Sequence, residues 1–478
     1  MLKSKNDMKQ LNKLLFTGFL FIVILPGIIS AQFTQKTYDL VDHLSSEHMI
    51  ESIRDISSAA FEGRELGTSG NRKAQNWVAA QFRKYGLQPF VDLNGYKQNF
   101  GIRSYSQGSD NRFYSANDTL RSNLFSPAYY SASDSVTAPF FSLGTVENLS
   151  EVELEKHNIK GSVVYVHIAR TDSDLMRPEG FELARELQLA GAKAVIYSFY
   201  TGEDHKERRF NPSGNPYVYH NDYYLPTQAV KNITNTYMPF VPDVSVTIPV
   251  AYLNHDIAQN ITNDEPVTMI TSVRGGLKNQ ASNIVAFREG SHYPGQYILI
   301  STPFDHEGLH PHKGNPYMGA NKASSGLAAL VGFARAMHRF DQLSRYSLLF
   351  VAFNGDERYR AGEYAFFESE LAKSLPIVHH IHLESLGYSL VPHTSVAVIE
   401  TDTTNRFFPI LKRTNRNPKI DVHFNHINNP DRTTITGDEF PYSHRILDSQ
   451  NALNYVQLYR SSQYSLQALW LLANSRQR

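Results

Sequence analysis

The 478-residue chain contains no cysteine, and that single absence removes several chemistries together. Disulfides, thiol catalysis, a lipidated cysteine and cysteine-ligated zinc are all excluded. No sign of charge dominates either. Lys and Arg total 46 against 46 Asp and Glu, so neither nucleic acid nor an anionic membrane surface is expected as a partner. Hydrophobic residues make up 41% and charged residues 19%, without the polar bias of disordered chains. Long apolar runs are missing beyond the N-terminus, so no other stretch is expected to span a bilayer. The one run, "LLFTGFLFIVIL", follows Lys3, Lys5, Lys9 and Lys13 and precedes Pro26-Gly27 and "ISAQ". That order is expected of a secretory signal peptide over residues 1–31, with an uncleaved anchor as the alternative. Cleavage near Ala31 would leave a slightly acidic mature chain without an integral membrane span, secreted or periplasmic.

What is present suits two or three domains with sizeable cores. In "FEGRELGTSGNRKAQNWVAAQFRKYGLQPF", a Gly/Ser/Thr turn leads into a helix. Ala74, Trp77, Val78, Gln81, Phe82 and Tyr85 fall at helical spacing, and Gly86 stands in C-cap position before Pro89. Residues 137–273 read as a separate α/β unit. It holds strand "KGSVVYVHI", helix "FELARELQLAGAK" closed by Gly191, strand "AVIYSF", and the strand and helix of "IPVAYLNHDIAQNIT". The aperiodic tract "FNPSGNPYVYHNDYYLP" inside this unit is expected to be a loop.

From Asn283 onward apolar strands alternate with helices: strands 283–288, 297–302, 347–353 and 377–383, helices 326–338 and 362–371. Such a pattern describes a mixed, mostly parallel sheet with helices on both faces. Ligands in these folds sit beyond the carboxyl ends of the strands. Here those ends read "TPFDHEG", "NGDERYR" and "ESLGYS", and a charged tip on each core strand points to a site. The first tip runs into "HEGLH", His306 to His310, which fits the H-E-x-x-H spelling of zinc proteases. That motif needs a helix to bring its two histidines onto one face. Gly308 lies inside it and Pro311 follows, so a loop is expected. His310 and His312 then lie near the pocket mouth as solvent-exposed histidines, with recruitment as substitute metal ligands the alternative.

These tips, with the helix after Gly70, resemble metallopeptidase family 28, the zinc aminopeptidases and carboxypeptidases that also include glutaminyl cyclase-like and transferrin-receptor-like proteins. "EGRELGTSGNRKAQNWVAAQFRKYGL" is similar to the family's opening helix. "GANKASSGLAALVGFARAM" and "LLFVAFNGDERYRAGEYAF" match its central blocks, and "SHRILDSQNALNYVQLYRSSQYSLQALWLLAN" follows its final histidine, D-T-x-D segment and closing helix. The resemblance implies a zinc aminopeptidase-like α/β fold made of residues 32–136 and 274–478, with residues 137–273 as a protease-associated-like insert. It also implies two zinc ions held by a His in an H-x-D tip, a bridging Asp, a Glu preceded by a general-base Glu, a further Asp and a late His.

Position by position, this chain departs from that set. Pro303 stands at the first His, although Asp305 remains beside it. Lys322 stands at the bridging Asp. Asp356 occupies the general-base position, Glu357 the ligand after it, Glu384 the next carboxylate, and His444 the late His, in register with Asp448, Ser449, Asn451 and Trp470. Metal ligands are thus retained at Glu357, Glu384 and His444 and lost at Pro303 and Lys322. Two protein ligands remain for one ion and one for the other, where catalytic zinc normally holds three. A lysine ammonium cannot coordinate zinc while charged, so Lys322 is expected to be an internal counter-ion for Asp356, Glu357 and Glu384. The expectation is a secreted, non-catalytic relative binding peptides or proteins, with no cofactor. The alternatives are an active metallo-exopeptidase with a remodelled or single-metal zinc site, or a metal-free enzyme with Asp356 and His444 as acid and base.

Overall fold

The computed structural model describes residues 35–476 apart from 108–109, 117–118, 121–124, 129, 147–156, 169–177, 200–245, 254, 310–313, 358–359, 392, 415–419 and 442–446. The expected signal peptide, the tract 210–226, His310, His312 and His444 lie outside the described residues.

Apolar strands without alternation must be covered on both sides, and the strand Tyr346–Phe353 is buried at every position. Leu348, Phe350 and Ala352 face one core, which the helices Ser46–Ile56, Ser69–Lys84, Ser324–Arg339 and Tyr455–Ala473 close. Leu349, Val351 and Phe353 face the other core, under the helix Ala361–Phe367. This sheet has eight strands, in the order Lys97–Gln107, Val273–Arg288, Tyr346–Phe353, Tyr293–Pro303, Ile377–Leu383, Arg432–Thr436, Val396–Thr401 and Asp421–His426. Its centre is parallel: Tyr293–Pro303 pairs in parallel with both of its neighbours, and Ile377–Leu383 with Arg432–Thr436. The sheet is therefore mixed, with the antiparallel pairs toward its two sides.

The helix 69–84 starts where the turn residues placed it. Thr68 caps it by accepting from the Asn71 N–H, and Ala74, Val78 and Phe82 are fully buried. Gly86 takes a φ of +70°, the left-handed conformation that ends the helix. One expected element divides. In place of a single helix over 362–371, the chain forms Ala361–Phe367 and Glu370–Ser374. Ser369 separates them, because its hydroxyl accepts the Ala372 N–H and starts a new helix.

A second eight-stranded sheet holds the strands expected in the unit 137–273, here Val163–Ile168, Ala194–Phe199 and Val250–Leu253, joined by Asp134–Val146 and Pro266–Thr271. It also takes in Arg112–Tyr114, Thr119–Leu120 and Phe125–Pro127, so it opens ahead of residue 137. Two or three residues carry too little periodicity to announce a strand. Among the described residues, no helix is long and apolar enough to cross a membrane.

Each sheet buries a histidine that folding keeps neutral. His379 lies beside Thr433, with its Nε2 2.9 Å from the hydroxyl, and burial, helped by Arg406, lowers its pKa to about 4. His167 stacks on His255 at 3.7 Å, and burial, then that neighbour, lowers it likewise to about 4. The unfolded chain takes up these protons near pH 6.5 while the fold refuses them until about 4. Stability present above pH 6.5 should therefore be lost as the pH falls through that window, by about 3 kcal/mol for a buried group such as His379. Melting temperatures between pH 7.5 and 4.5 read this directly, and His379→Gln should flatten the slope. An unchanged slope in that variant would refute the assignment.

Candidate functional site

The carboxyl ends of the three central parallel strands deliver the charged tips to one place. Pro303 ends its strand opposite Phe353 and is buried, offering no side-chain donor. Two residues on, Asp305 is 1% exposed and accepts the Asp356 N–H at 2.9 Å and the Glu357 N–H at 3.4 Å. The first tip thus holds the second. Gly355, with a φ of +78°, turns the chain immediately before Asp356, a conformation costly for any residue with a Cβ. At the third tip Glu384 donates its backbone N–H to the Ile435 carbonyl, and Ser385 follows with a φ of +51°. That left-handed bend ends the strand and leaves Glu384 at its rim.

Lys322 reaches this group from the turn before the helix 324–339. Its Nζ contacts the Glu384 carboxylate and lies 3.5 Å from Asp356 Oδ2. All three side chains are less than one-fifth exposed. Arg360, on the outside, places its Nε 3.8 Å from the other Asp356 oxygen. The Lys322 turn is itself pinned. Asp448, fully buried, accepts the Asn321 N–H at 2.7 Å and the Lys322 N–H at 3.1 Å. Gly326 sits where a Cβ would come within 2.3 Å of the Thr302 hydroxyl, so this helix presses directly onto the strand tips. Asp356, Glu384 and Lys322 are therefore brought together.

Glu357 belongs to a deeper layer. His306 is fully buried, and its Nδ1 lies 3.1 Å from Glu357 Oε1. "HEGL" is a loop in the structure, with Gly308 at a φ of +80°. Its first histidine faces the interior. Beneath lies Arg64, which is also fully buried and donates to the carbonyls of Ile56 and Phe304 at 2.6 and 2.8 Å. Burial pulls its pKa down to about 10, while Asp305, Asp448 and Glu357 oppose the shift. Burial, with Asp356 and Glu357 nearby, pushes the Asp305 carboxyl well up.

Sequence reasoning missed Arg64 and the amides around it. Asn71 donates from Nδ2 to the Arg64 carbonyl and to Asn354 Oδ1, both at 2.8 Å, while Asn283 Oδ1 accepts the Asn354 N–H. The signal available was polar residues inside otherwise apolar or turn segments, "EGR", "SGN" and "FNG". It missed equally the buried His380 and His382, whose pKa values burial, then Arg432, lowers well below normal. Among the described residues, no group of three or more His, Asp or Glu is arranged to hold a metal ion.

Residues 283–451 match the family model of Peptidase family M28, a span that contains every tip described above. No curated protein matches the chain in sequence. Solved structures with a similar fold include the aminopeptidase from Aneurinibacillus sp. strain AM-1, at 15% identity and a TM-score of 0.64, covering 91% of this chain and 95% of that one. BSAP, a zinc aminopeptidase from Bacillus subtilis, is similar at 17% identity and a TM-score of 0.54, covering 89% and 95%. A Peptidase M28 precursor from Shewanella amazonensis SB2B is similar at 14% identity and a TM-score of 0.56, covering 94% and 98%. The likeness to these structures is one of fold. The family match is confined to the segment that carries the site.

Asp448 offers a direct check on how Lys322 is held. Asp448→Ala removes the acceptor for two backbone N–H groups and a buried charge facing Arg64. It should cost about 2–4 kcal/mol in chemical denaturation. A loss below about 0.5 kcal/mol, the usual scatter of surface changes, would contradict this role.

Proposed function

We propose that this chain is an exported, non-catalytic relative of the family M28 peptidases, keeping the fold as a module that binds peptides or proteins. The observation that carries the reading is the position of the Lys322 ammonium, in contact with Glu384 and 3.5 Å from Asp356. The resemblance assigns to that place the carboxylate two metal ions would share. A charged lysine offers no lone pair and repels divalent cations, and Pro303 offers no donor at all. The residues present at these tips do not fit a shared pair of zinc ions. Asp356 stands where the general base would, with its carboxylate turned to Lys322 and Arg360. Peptide-type ligands are favoured because the similar folds are those of aminopeptidases.

The alternative is an active metallo-exopeptidase with a remodelled or single-metal zinc site. Its support is the buried imidazole of His306 beside the retained ligand position Glu357. Such a site would use Glu357 and Glu384 with His444.

Metal content after purification in zinc, with aminoacyl-amide hydrolysis assayed with and without chelator, separates the two readings. The proposal expects substoichiometric zinc and no chelator-sensitive turnover; one zinc per chain with turnover abolished by chelator would sink it. Lys322→Ala leaves Asp356 and Glu384 facing each other without their cation. It should lose about 1–3 kcal/mol of stability, recovered on adding a divalent cation. An unchanged melting temperature without metal uptake would count against the counter-ion.

A further inference from the structure

We propose that His382 is the positioning residue of the Lys322 cluster, held by Ser301 in the tautomer whose Nε2–H faces Glu384. The inference rests on the reading of Lys322 as the cation of this site.

His382 lies on the strand Ile377–Leu383, directly opposite Ser301 on the neighbouring strand Tyr293–Pro303. Both side chains are buried. The Ser301 hydroxyl lies 2.8 Å from His382 Nδ1 and 2.6 Å from His380 Nε2, so one oxygen serves two imidazoles. On its far side, His382 Nε2 has no hydrogen-bond partner among the described residues and is 3.8 Å from Glu384 Oε2.

A hydroxyl has one proton to donate, and each neutral imidazole has one proton to place. If Ser301 donates to His382 Nδ1, His380 donates its Nε2–H to Ser301, and the His382 proton sits on Nε2, toward Glu384. If Ser301 instead donates to His380, or both rings donate to Ser301, the His382 proton sits on Nδ1. A bare Nε2 lone pair would then face a carboxylate across 3.8 Å of water-poor interior. Two electron-rich groups in that setting repel with little screening. The carboxylate therefore selects the first arrangement. At 3.8 Å the N–H is too far for a hydrogen bond and acts as a dipole aligned on Glu384. Glu384 is held between this dipole and the Lys322 ammonium, which keeps its oxygen directed at Lys322. The donors point in one sense from His380 through Ser301 and His382 toward Glu384, and Lys322 meets the same carboxylate from the opposite side.

Nitrogen-15 chemical shifts of the wild-type histidines test this without any substitution. His382 should show a protonated Nε2 and an unprotonated Nδ1; the reverse pattern overturns the inference. Two variants test the consequence. His382→Gln keeps an N–H donor near the place of Nε2, whereas His382→Asn places it near Nδ1. Acetylation of Lys322 by acetic anhydride, followed by peptide mass spectrometry against the exposed Lys73 and Lys373, reads how firmly Lys322 is held. The Asn variant should raise the Lys322 rate about fourfold and the Gln variant less than about twofold, the scale of a dipole aligned on a charge at this distance. Equal rates in the two variants overturn the positioning role. Zinc content of the same wild-type sample decides the underlying reading separately, since stoichiometric metal refutes Lys322 as the cation whatever the His382 tautomer.

Discussion

Negative charge converging at the ends of parallel strands has to be met by positive charge nearby, and in this chain side chains supply it. Asp305, Asp356, Glu357, Glu384 and Asp448 all lie in or beside the three central tips. Lys322 meets the outer pair and Arg64 lies beneath the inner group. An ammonium 3.5 Å from a carboxylate, screened by an effective dielectric near 20, gains roughly 4–5 kcal/mol before desolvation is charged against it. Most of that gain is needed to offset taking both ions partly out of water. What the pairing secures is less net stability than geometry. Asp356 and Glu384 can stand this close together only while Lys322 stays in place.

The fold fixes those cations by backbone contacts. Lys322 is reached by a turn whose N–H groups end on Asp448, and the helix that follows presses Gly326 against Thr302 and the Leu383 carbonyl. Arg64 hangs from the carbonyls of Ile56 and Phe304, and the Asn71 amide donates both to the Arg64 carbonyl and to Asn354 Oδ1. Several of these links join segments far apart in sequence: the residues before and within the opening helix, two strand tips and the segment before the closing helix. The charged cluster therefore forms only once the whole sheet has assembled.

That dependence explains what was legible beforehand. Strands such as Tyr346–Phe353, apolar at nearly every position, declare themselves because burial on both faces leaves no room for alternation. The charged tips were readable because polar residues follow such strands directly, and the ion pair of Lys322 with Asp356 and Glu384 was anticipated because the resemblance set Lys322 among the tip carboxylates. Burial of His306 was not, since "HEGLH" carries the turn residues of an exposed loop. Its direction is set by packing: the ring lies against Gly319, where a Cβ would stand 2.5 Å from it. Arg64, His380 and His382 were missed for a related reason. A buried polar residue becomes intelligible only when its partner, from another strand or turn, is known. The three short strands before residue 127 lacked the length to show any period at all.

Glu357, which the resemblance would make a retained metal ligand, also takes on a different meaning. In a metallopeptidase its carboxylate would be kept for the metal. Here the same carboxylate lies beside the His306 imidazole and within the field of Arg64, a guanidinium with no exposed surface. Neutralising Glu357 would leave Arg64 with less opposing charge in a place where an uncompensated cation costs several kcal/mol. Asp305 carries a similar duty, holding the backbone of the Asp356 tip while facing the same guanidinium. These carboxylates therefore have reasons to persist that require no metal, and their presence alone does not argue for catalysis. The informative positions are those where the change has no such structural duty to respect, and Lys322 is the clearest. There a cation stands among the carboxylates, in contact with Glu384 and 3.5 Å from Asp356.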